Sequence, residues 1–393
     1  MSINVLMVGW ELPPYTSGGL GVASFGLAKE LSKKGVNITF VLPKIHDYDI
    51  DFMNLVFADI KEVEKLLGSS YTYSSKFLKK LKLHDPASDY VTAALKFGER
   101  VLSMAKKFNG DIIHSHDWLT FPAGMASKSV MGKPMVAHVH ATEIDRTGGH
   151  YPNPDVYEIE RRGLGMADRI ISVSEFTKNT LVQHYSLSPS KISVVHNGVT
   201  EIEKKHFPEA LSDMKQLGYK IVLYHGRITL QKGPEYFIHA ARKVLDYKDK
   251  VLFVVSGSGD MQGRMMEDAA RLGIMDNVIF TGALWGDEAY AMMQSADLLV
   301  MPSVSEPFGI VPLEAVANGT PTLISKQSGV SEVLHNCLRA DFWDVDEMAN
   351  KIITLLDHSE LGGVIVEESS KELPNISWEK AATNTLSLYE ELV

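Results

Sequence analysis

The sequence predicts an α/β protein built from two Rossmann-like domains. Strand patterns and helical patterns alternate from one end of the chain to the other, as expected for βαβ units with parallel sheets. A polar stretch that ends in proline, at 200–208, interrupts the alternation and has the composition of a linker. At 393 residues the chain is too long for one ordinary core, and two domains account for its length.

Short apolar runs mark the predicted strands, with helical patterns in most of the spaces between them. In the first domain the runs are 3–8, 37–42, 112–114, 135–140, 169–173 and 192–195. In the second domain they are 221–224, 251–256, 278–281, 298–301 and 322–324. We therefore divide the chain into a first domain at 1–199, a linker at 200–215, a second domain at 216–376 and a last helix at 377–393.

The charge balance and the cysteine content limit the class of protein. Lysine and arginine total 39 against 49 acidic residues, a net charge of −10 that argues against a broad nucleic-acid-binding face. The single cysteine, Cys337, forms no intramolecular disulfide and suits a reducing compartment. No basic signal-peptide region is present, and no apolar run approaches the roughly 18 residues of a membrane span. We expect a soluble, cytoplasmic protein with no nucleic-acid partner.

The segment 306–314, Glu-Pro-Phe-Gly-Ile-Val-Pro-Leu-Glu, places two carboxylates around a turn that opens a helix. It follows a predicted strand, and ligands of open α/β sheets bind at the carboxyl ends of strands. Amides near Gly309 and Ile310 can meet phosphate, and a carboxylate accepts paired hydrogen bonds from vicinal hydroxyls. The pattern as a whole predicts a sugar-nucleotide site, with Glu306 on a hexose and Glu314 on a ribose. Either glutamate alone fits a solvated residue equally well.

A second loop, His-Gly-Arg-Ile-Thr-Leu-Gln-Lys-Gly at 225–233, directly follows another predicted strand. It places two cations, Arg227 and Lys232, at the carboxyl edge of the second sheet. Arginine supplies a planar fork and lysine a compact charge, so the pair can neutralise a departing diphosphate without a metal. The alternative is that both are solvated loop cations.

Two glycine-rich turns follow strands without matching the dinucleotide-binding fingerprint. The loop 17–21, Ser-Gly-Gly-Leu-Gly, lets backbone approach a ligand at a helix start, although ordinary turns share its composition. Gly257 and Gly259 also follow a strand, but Gly263 comes one position late and Asn277 stands near the place of the ribose-binding acid. We therefore disfavour NAD as a cofactor.

Two histidine pairs of period two, His114 with His116 and His138 with His140, place both members of each pair on one side of a sheet. A zinc site is the alternative, but the only cysteine is distant and the spacing offers no obvious third ligand. We therefore expect no bound metal and no other cofactor. Asp117 and His140 lie at or just past strand ends, where catalytic side chains collect.

Together these residues resemble the retaining nucleotide-sugar glycosyltransferases with two facing Rossmann domains (the GT-B fold). This is the group-1, family-4-like superfamily that includes the glycogen synthases, and the match covers nearly the whole chain. It runs through Gly18-Gly19, 114–118, 137–146, 172–175, 196–198, 226–227 with 232–233, and the Glu306/Glu314 pair. The glutamate pair and the loop with two cations are its specific parts.

The resemblance implies a donor site in the second domain. Arg227 and Lys232 would bind the donor diphosphate, Glu314 the ribose and Glu306 the hexose. The other donor-binding residues that it implies are Gly18, Gly19, Phe308, Gly309 and Ile310.

The resemblance also implies roles for the first domain. His140 would contact the sugar near its 6-hydroxyl, Asp117 would shape the acceptor side, and the last helix would cross back onto the first domain. Glycogen and starch synthases usually carry a lysine in a Lys-x-Gly-Gly-Leu loop, whereas Thr16 or Ser17 stands there in this chain. That departure favours the broader group-1 transferases over a polymer-extending synthase.

The leading hypothesis is a retaining hexosyltransferase that moves glucose or a similar sugar from a nucleoside diphosphate donor to a hydroxyl acceptor. The acceptor would be a glycan, a small sugar or a lipid-linked group. Alternatives are α-glucan elongation from ADP- or UDP-glucose, a nucleotide-sugar epimerase, and a non-catalytic sugar-nucleotide sensor. The residues expected to take part in catalysis are His140, Asp117, Arg227, Lys232 and Glu306.

Residues 44–109 give the least regular pattern, with a lysine-rich stretch at 71–80. Charge runs of this kind are most often the solvated face of a helix, which is the interpretation we favour. Two alternatives stay open, a mobile insertion on the acceptor side and an amphipathic helix on acidic lipid. Peripheral membrane contact is therefore not indicated, although the sequence leaves it open.

Overall fold

A computed structural model describes residues 2–16, 18–60, 86–199 and 211–393 of the chain. The lysine-rich stretch 71–80 and the proposed linker segment 200–208 lie outside these ranges, as does Ser17. The chain divides into two compact units. The first unit comprises Met1–Gly198 together with Ser377–Val393, and the second unit is Val199–Ile376.

The first unit is built on a seven-stranded parallel sheet with the order β3-β2-β1-β4-β5-β6-β7. The strand order reverses between β1 and β4, and open α/β sheets bind ligands at the carboxyl edge beside such a reversal. The strands are β1 (Asn4–Val8), β2 (Asn37–Leu42), β3 (Asn54–Phe57), β4 (Ile112–His116), β5 (Met135–Val139), β6 (Arg169–Ser172) and β7 (Ile192–Val194).

Helices of the first unit pack on this sheet around a core that includes Leu6, Phe97, Ile113 and Trp118. Side-chain caps fix several helix starts; for example, Asn153 and Ser174 each accept hydrogen bonding from the first turn of the helix that follows. The helices are α1 (Gly19–Lys33), α2 (Pro86–Ala105), α3 (Phe121–Met131), α4 (Glu143–Arg146), α5 (Pro154–Met166) and α6 (Glu175–Tyr185), with a 3₁₀ turn at Pro189–Lys191.

The second unit repeats the scheme with a six-stranded parallel sheet of order β10-β9-β8-β11-β12-β13. Here the order reverses between β8 and β11, which pair directly. The strands are β8 (Lys220–His225), β9 (Val251–Ser256), β10 (Val278–Gly282), β11 (Leu298–Met301), β12 (Thr322–Ser325) and β13 (Leu338–Ala340).

Helices cover this second sheet as well, and Phe237, Phe253 and Ile352 lie fully buried in its core. The helices are α7 (Ser212–Gln216), α8 (Pro234–Leu245), α9 (Gln262–Arg271), α10 (Gly286–Ser295), α11 (Ile310–Ala317), α12 (Val345–Asp357) and α13 (Ser359–Ser370). Short 3₁₀ turns lie at Leu230–Lys232, Met275–Asn277, Gly329–Glu332 and Leu373–Asn375.

The last helix, α14 (Trp378–Glu390), belongs to the first unit, where it packs against α1. Gly26 of α1 makes room for it, because a Cβ there would lie 2.6 Å from the indole ring of Trp378. Tyr389, near the other end of α14, is fully buried and hydrogen-bonds His114 of β4. The chain therefore leaves the first unit after Gly198 and returns to it at Ser377.

The predicted fold class, two parallel-sheet α/β domains, is confirmed. Two strands, β3 and β13, were not predicted. Both lie at the edge of a sheet, and their residues are mostly only half-buried. Arg339 interrupts the apolar residues of β13, and the short apolar run of β3 lies inside the irregular segment 44–109. Among the described residues, no helix has the length and apolar character needed to cross a membrane.

Candidate functional site

In the second unit, the loop that follows β8 and the loop that follows β11 lie side by side at the reversal of strand order. The two loops are joined by a hydrogen bond in which the Val304 amide donates to the carbonyl oxygen of Gln231 (2.9 Å). Gly233 has φ +62°, and a Cβ at this position would lie 2.1 Å from the carbonyl oxygen of Pro302. Only glycine allows this approach, so the two predicted ligand loops form one edge.

Lys232 and Glu306 form an ion pair across this edge. Glu306 is 5% exposed, and the Ser303 hydroxyl donates a second hydrogen bond to the same carboxylate oxygen at 3.1 Å. The backbone of Glu306 is also held, because its amide donates to Gln327 (2.9 Å) and its carbonyl accepts from Gly329 (2.9 Å). The carboxylate therefore has a fixed position beside a cation.

Arg227 lies on the same loop as Lys232. The Tyr224 hydroxyl donates to the carbonyl oxygen of Arg227 at 2.8 Å, which anchors the loop to the end of β8. One guanidinium nitrogen lies 3.4 Å from the side-chain oxygen of Gln231. Two cations thus occupy one loop at the reversal of strand order, where α/β proteins bind ligands.

The start of α11 offers backbone donors at the same edge. Gly309 precedes the helix with φ +102°, and no side chain caps the first turn. The first amides of a helix have no intrahelical acceptor, so those at Ile310 and beyond are suited to an anion. Phe308 is buried, and its carbonyl oxygen accepts from the amide of Val330 at 2.7 Å.

Glu314 lies one turn further along α11. Burial raises the pKa of its carboxyl to about 7. Among the described residues, its carboxylate makes no hydrogen bond or ion pair. The group therefore retains its full capacity to accept hydrogen bonds when it ionises.

In the first unit, Asp117 follows β4 at the corresponding reversal of strand order. Its backbone has φ +59°, which is uncommon for a residue with a side chain. One carboxylate oxygen accepts from the amides of His140 (2.6 Å) and Ala141 (3.3 Å), just past the end of β5. Asp117 thus fixes the backbone that carries His140. Gly18 comes directly before α1 and Gly19 is its first residue, after β1 on the other side of this reversal.

A buried charge cluster that the sequence analysis missed supports this loop. The guanidinium of Arg146 lies 3.5 Å from a carboxylate oxygen of Asp117 and donates to Glu160 at 3.1 Å. Glu160 also accepts hydrogen bonds from the Glu143 amide and the Tyr185 hydroxyl. Burial raises the pKa of Glu160 to about 8, although the charge of Arg146 acts in the opposite direction.

A signal for this cluster was present in the sequence. Glu160 stands inside the apolar stripe of α5, where a charged residue needs a buried partner. The buried positions of this helix are Val156, Ile159, Glu160, Gly163 and Leu164.

The four histidines of β4 and β5 form a compact array, because their rings lie on one face of the sheet as predicted. His114 is paired with His138 across the two strands (Nε2 to Nδ1, 3.2 Å), and His116 with His140 (Nδ1 to Nε2, 3.0 Å). The two pairs stack, with ring centroids 4.5 Å apart for His114 and His116. Burial lowers the pKa of His114 and of His140 to about 3.

A metal among these rings is not favoured by their geometry. One nitrogen from each of His114, His116 and His138 lies within 4.8 Å of the others, which is loose, since nitrogens around one zinc ion lie about 3.3 Å apart. The His114 and His138 nitrogens also face one another in a hydrogen bond that an ion would have to break. That the chain binds no metal stays a prediction.

The predicted site residues thus fall into two groups, one in each unit. Gly18, Gly19, Asp117 and His140 lie at the carboxyl edge of the first sheet. The second sheet carries Arg227, Lys232, Glu306, Phe308, Gly309, Ile310 and Glu314 at its own carboxyl edge.

Comparisons with known proteins identify the family. Residues 17–201 match the family described as Glycosyltransferase Family 4, and residues 209–371 match Glycosyl transferases group 1. The chain belongs to the group-1 glycosyltransferases. The resemblance to group-1 glycosyltransferases inferred from the motifs is confirmed, and the enzyme is a glycosyltransferase.

Individual relatives of this glycosyltransferase align over most of the chain. It is 29% identical to an uncharacterized glycosyltransferase of Methanocaldococcus jannaschii, over 99% of this chain and 98% of the relative. It is 25% identical to a glycogen synthase of Mycobacterium tuberculosis, over 98% and 94%. It is also 29% identical to a D-inositol 3-phosphate glycosyltransferase of Salinispora arenicola, over 72% and 69%.

Solved structures share the fold of this glycosyltransferase at lower identity. A sucrose-phosphate synthase from Thermosynechococcus elongatus superimposes with a TM-score of 0.76 at 20% identity, covering 99% of both chains. An Anabaena protein in complex with UDP-glucose superimposes with a TM-score of 0.70 at 18% identity, covering 98% of this chain and 99% of that one. Both cover the two units and support the GT-B fold.

Proposed function

We propose that this glycosyltransferase moves a hexose, glucose or a close analogue, from a nucleoside diphosphate sugar to a hydroxyl acceptor with retention of anomeric configuration. The observation that carries the proposal is the Lys232–Glu306 ion pair beside Arg227, at the reversal of strand order in the second sheet. It sets two cations next to a fixed carboxylate, and a diphosphate joined to a sugar needs that combination.

In this proposal each part of the donor meets a separate group. The diphosphate binds Arg227 and Lys232, with the free amides at the start of α11 beside it. Glu314 accepts the two ribose hydroxyls, and Glu306 accepts hydroxyls of the hexose. The Anabaena protein of the same fold is in complex with UDP-glucose, which is consistent with a sugar nucleotide as the donor.

The reaction proceeds on one face of the sugar. Glu306, the carboxylate proposed to contact the hexose, already accepts hydrogen bonds from Lys232 and Ser303, which makes it a poor nucleophile. The bond from the anomeric carbon to the diphosphate oxygen breaks first, and Arg227 and Lys232 stabilise the charge on the departing phosphate. That phosphate then accepts the proton of the acceptor hydroxyl, which attacks from the same face. Paired cations make a metal at the diphosphate unnecessary.

The first unit contributes positioning and specificity in this proposal. His140 contacts the hexose near its 6-hydroxyl, Gly18 and Gly19 approach the donor through their backbone, and Asp117 keeps the end of β5 in place. Since burial holds the pKa of His140 far below neutrality, the ring acts as a neutral hydrogen-bonding group.

A second candidate, elongation of an α-glucan, is favoured by one observation. The glycogen synthase of Mycobacterium tuberculosis aligns over 98% of this chain, and the His-Asp-Trp motif at 116–118 agrees with it. The loop that ends at Gly18-Gly19 lacks the lysine usual in such synthases, so we rank a smaller hydroxyl acceptor first.

The experiment is a donor and acceptor screen followed by stereochemical analysis. UDP-, ADP- and GDP-hexoses are incubated with monosaccharides, inositol phosphates and maltooligosaccharides, and nucleoside diphosphate release is measured. The product of an active pair is then followed by proton NMR from the first turnovers. We expect the anomeric configuration of the donor in the product. An inverted product contradicts the mechanism, and epimer formation without an acceptor supports the epimerase alternative.

A further inference from the structure

The end of β5 is held by two consecutive residues of β4 and its loop. The ring of His140 is hydrogen-bonded to His116, and its backbone amide donates to Asp117. His116 stands directly opposite His138 in the register of the two strands, and this places its ring beside that of His140, two residues further along. One dipeptide therefore sets both the ring and the backbone of His140.

The hydrogen bond between the two rings leaves little choice of proton positions. His116 is buried, and burial lowers the pKa of both imidazoles far below neutrality, so each ring carries one proton. A single proton lies between His116 Nδ1 and His140 Nε2. If His116 donates, the proton of His140 is on Nδ1; if His140 donates, its Nδ1 has a lone pair. The tautomer of one ring thus fixes the tautomer of the other.

The remaining nitrogen of each ring has no hydrogen-bond partner in the part of the chain that the structure describes. Among the described residues, His116 Nε2 and His140 Nδ1 are buried without a hydrogen bond. An unpaired buried polar atom costs on the order of 1–3 kcal/mol, so a substrate hydroxyl that bonds His140 Nδ1 would remove a cost that the folded protein bears. Since Nε2 of His140 is engaged by His116, Nδ1 is the ring atom of His140 left for a substrate hydroxyl.

We propose that His116 is a positioning residue that fixes the orientation and tautomer of His140, so that His140 meets the sugar through Nδ1. The inference rests on the proposed role of His140 in transfer. Replacing His116 should therefore lower turnover and leave nucleotide affinity nearly unchanged, because the second unit would still bind the nucleotide when His140 is misoriented. In the same proposal, Asp117 fixes the backbone of His140.

The other pair of the array provides a matched control within the same strands. His114 is also buried on β4, two residues before His116, and pairs across to β5 with His138. The other ring nitrogen of His114, Nδ1, is hydrogen-bonded to the Tyr389 hydroxyl of α14, so this pair links the first sheet to the last helix. Replacing His114 thus removes a similar ring–ring hydrogen bond without touching the one that holds His140.

The kinetic test compares His116→Phe, His116→Asn and His114→Phe in the full-length enzyme. We expect His116→Phe to lower kcat at least about tenfold with donor KM nearly unchanged, because a displaced hydrogen bond acts mainly in the transition state. The asparagine amide can donate or accept a hydrogen bond near the position of His116 Nδ1, so His116→Asn should recover part of kcat. His114→Phe should lower the melting temperature and leave kcat within a few-fold. Equal losses of kcat in His114→Phe and His116→Phe would reduce His116 to a structural role.

A spectroscopic test does not depend on activity. Long-range proton–nitrogen correlation spectra of the ¹⁵N-histidine-labelled protein report the tautomer of each ring. We expect one fixed neutral tautomer for His140 in the wild type and a mixture of tautomers in His116→Asn. A His140 that already exchanges between tautomers in the wild type would overturn the inference. If the tautomer is fixed but no donor is turned over, the proposed function fails while the pairing of the rings stands.

Discussion

Glu306 is held through both its carboxylate and its backbone, and these contacts determine its chemistry. Lys232 and Ser303 bond its carboxylate, and Gln327 and Gly329 bond its backbone. The sequence predicted the carboxylate and the cation separately, from two loops some 70 positions apart. That they form an ion pair could not be read from spacing, because only the pairing of β8 with β11 brings the loops together.

The two loop cations give the first residue-scale prediction. Arg227→Ala and Lys232→Ala should each lower kcat at least about 10²-fold, the scale expected when one preorganised charge partner of the transition state is removed. Steady-state kinetics with the donor from the screen measure this effect. Lys326→Ala is the matched control, since Lys326 is an exposed cation of the same unit, paired with Asp341. Unchanged turnover in both loop variants would mean that the diphosphate binds elsewhere.

Glu314 gives a prediction of pH dependence. Its raised pKa, about 7, means that the carboxyl is mostly protonated at pH 6 and mostly ionised at pH 8. The ionised form accepts both ribose hydroxyls, so donor affinity should rise with pH, by up to about tenfold between these values. The phosphates of a sugar nucleotide are diesters and do not titrate in this range. Calorimetric titration at several pH values should show the rise, and Glu314→Gln should abolish it.

At the scale of elements, the sequence located central strands better than edge strands. The runs at 251–256 and 298–301 are buried along their whole length and match β9 and β11. The edge strands β3 and β13 are mostly half-buried, and the sequence did not predict them. The histidine pairs were placed correctly on one face, but their pairing across strands depends on the register of His116 with His138, which period-two spacing cannot supply.

The contact between the two loops of the second unit is an element-scale feature with its own prediction. Gly233→Ala should both destabilise the protein and weaken donor binding, because its Cβ would push the loop after β8 away from Pro302. Gly273→Ala is the control: φ is +68° there, but a Cβ would meet no atom within 4 Å. In both variants, alanine at a positive φ lowers the free energy of unfolding by about 1–2 kcal/mol. Urea unfolding measures the loss of stability in each variant, and titration with the donor measures its affinity. We expect donor affinity to fall only in Gly233→Ala. Equal affinities in the two variants would contradict the role of the contact between Gly233 and Pro302.

At the scale of the whole molecule, the two units repeat one plan with different charges at the carboxyl edge. The second unit carries Arg227 and Lys232, whereas the first carries neutral imidazoles and a carboxylate, Asp117, in contact with Arg146. Alternation of strands and helices was enough to predict both units. The buried cluster around Arg146 was missed, because its members meet only after the chain has folded, from α4, α5 and the loop after β4.

The last helix allows the two units to be tested within one chain. Removing residues 377–393 should destabilise the first unit by several kcal/mol, since it strips Trp378, Leu388 and Tyr389 from buried positions at about 1.5–3 kcal/mol each. The proposed ligands of the diphosphate and the ribose all lie in Val199–Ile376, so nucleoside diphosphate should still bind the truncated chain although transfer is lost. Calorimetry should show one transition shifted to lower temperature and a second one that the nucleotide still raises. A chain lacking only residues 392–393 is the control. If the truncated chain keeps the second transition but no longer binds nucleotide, part of the diphosphate site lies in the first unit.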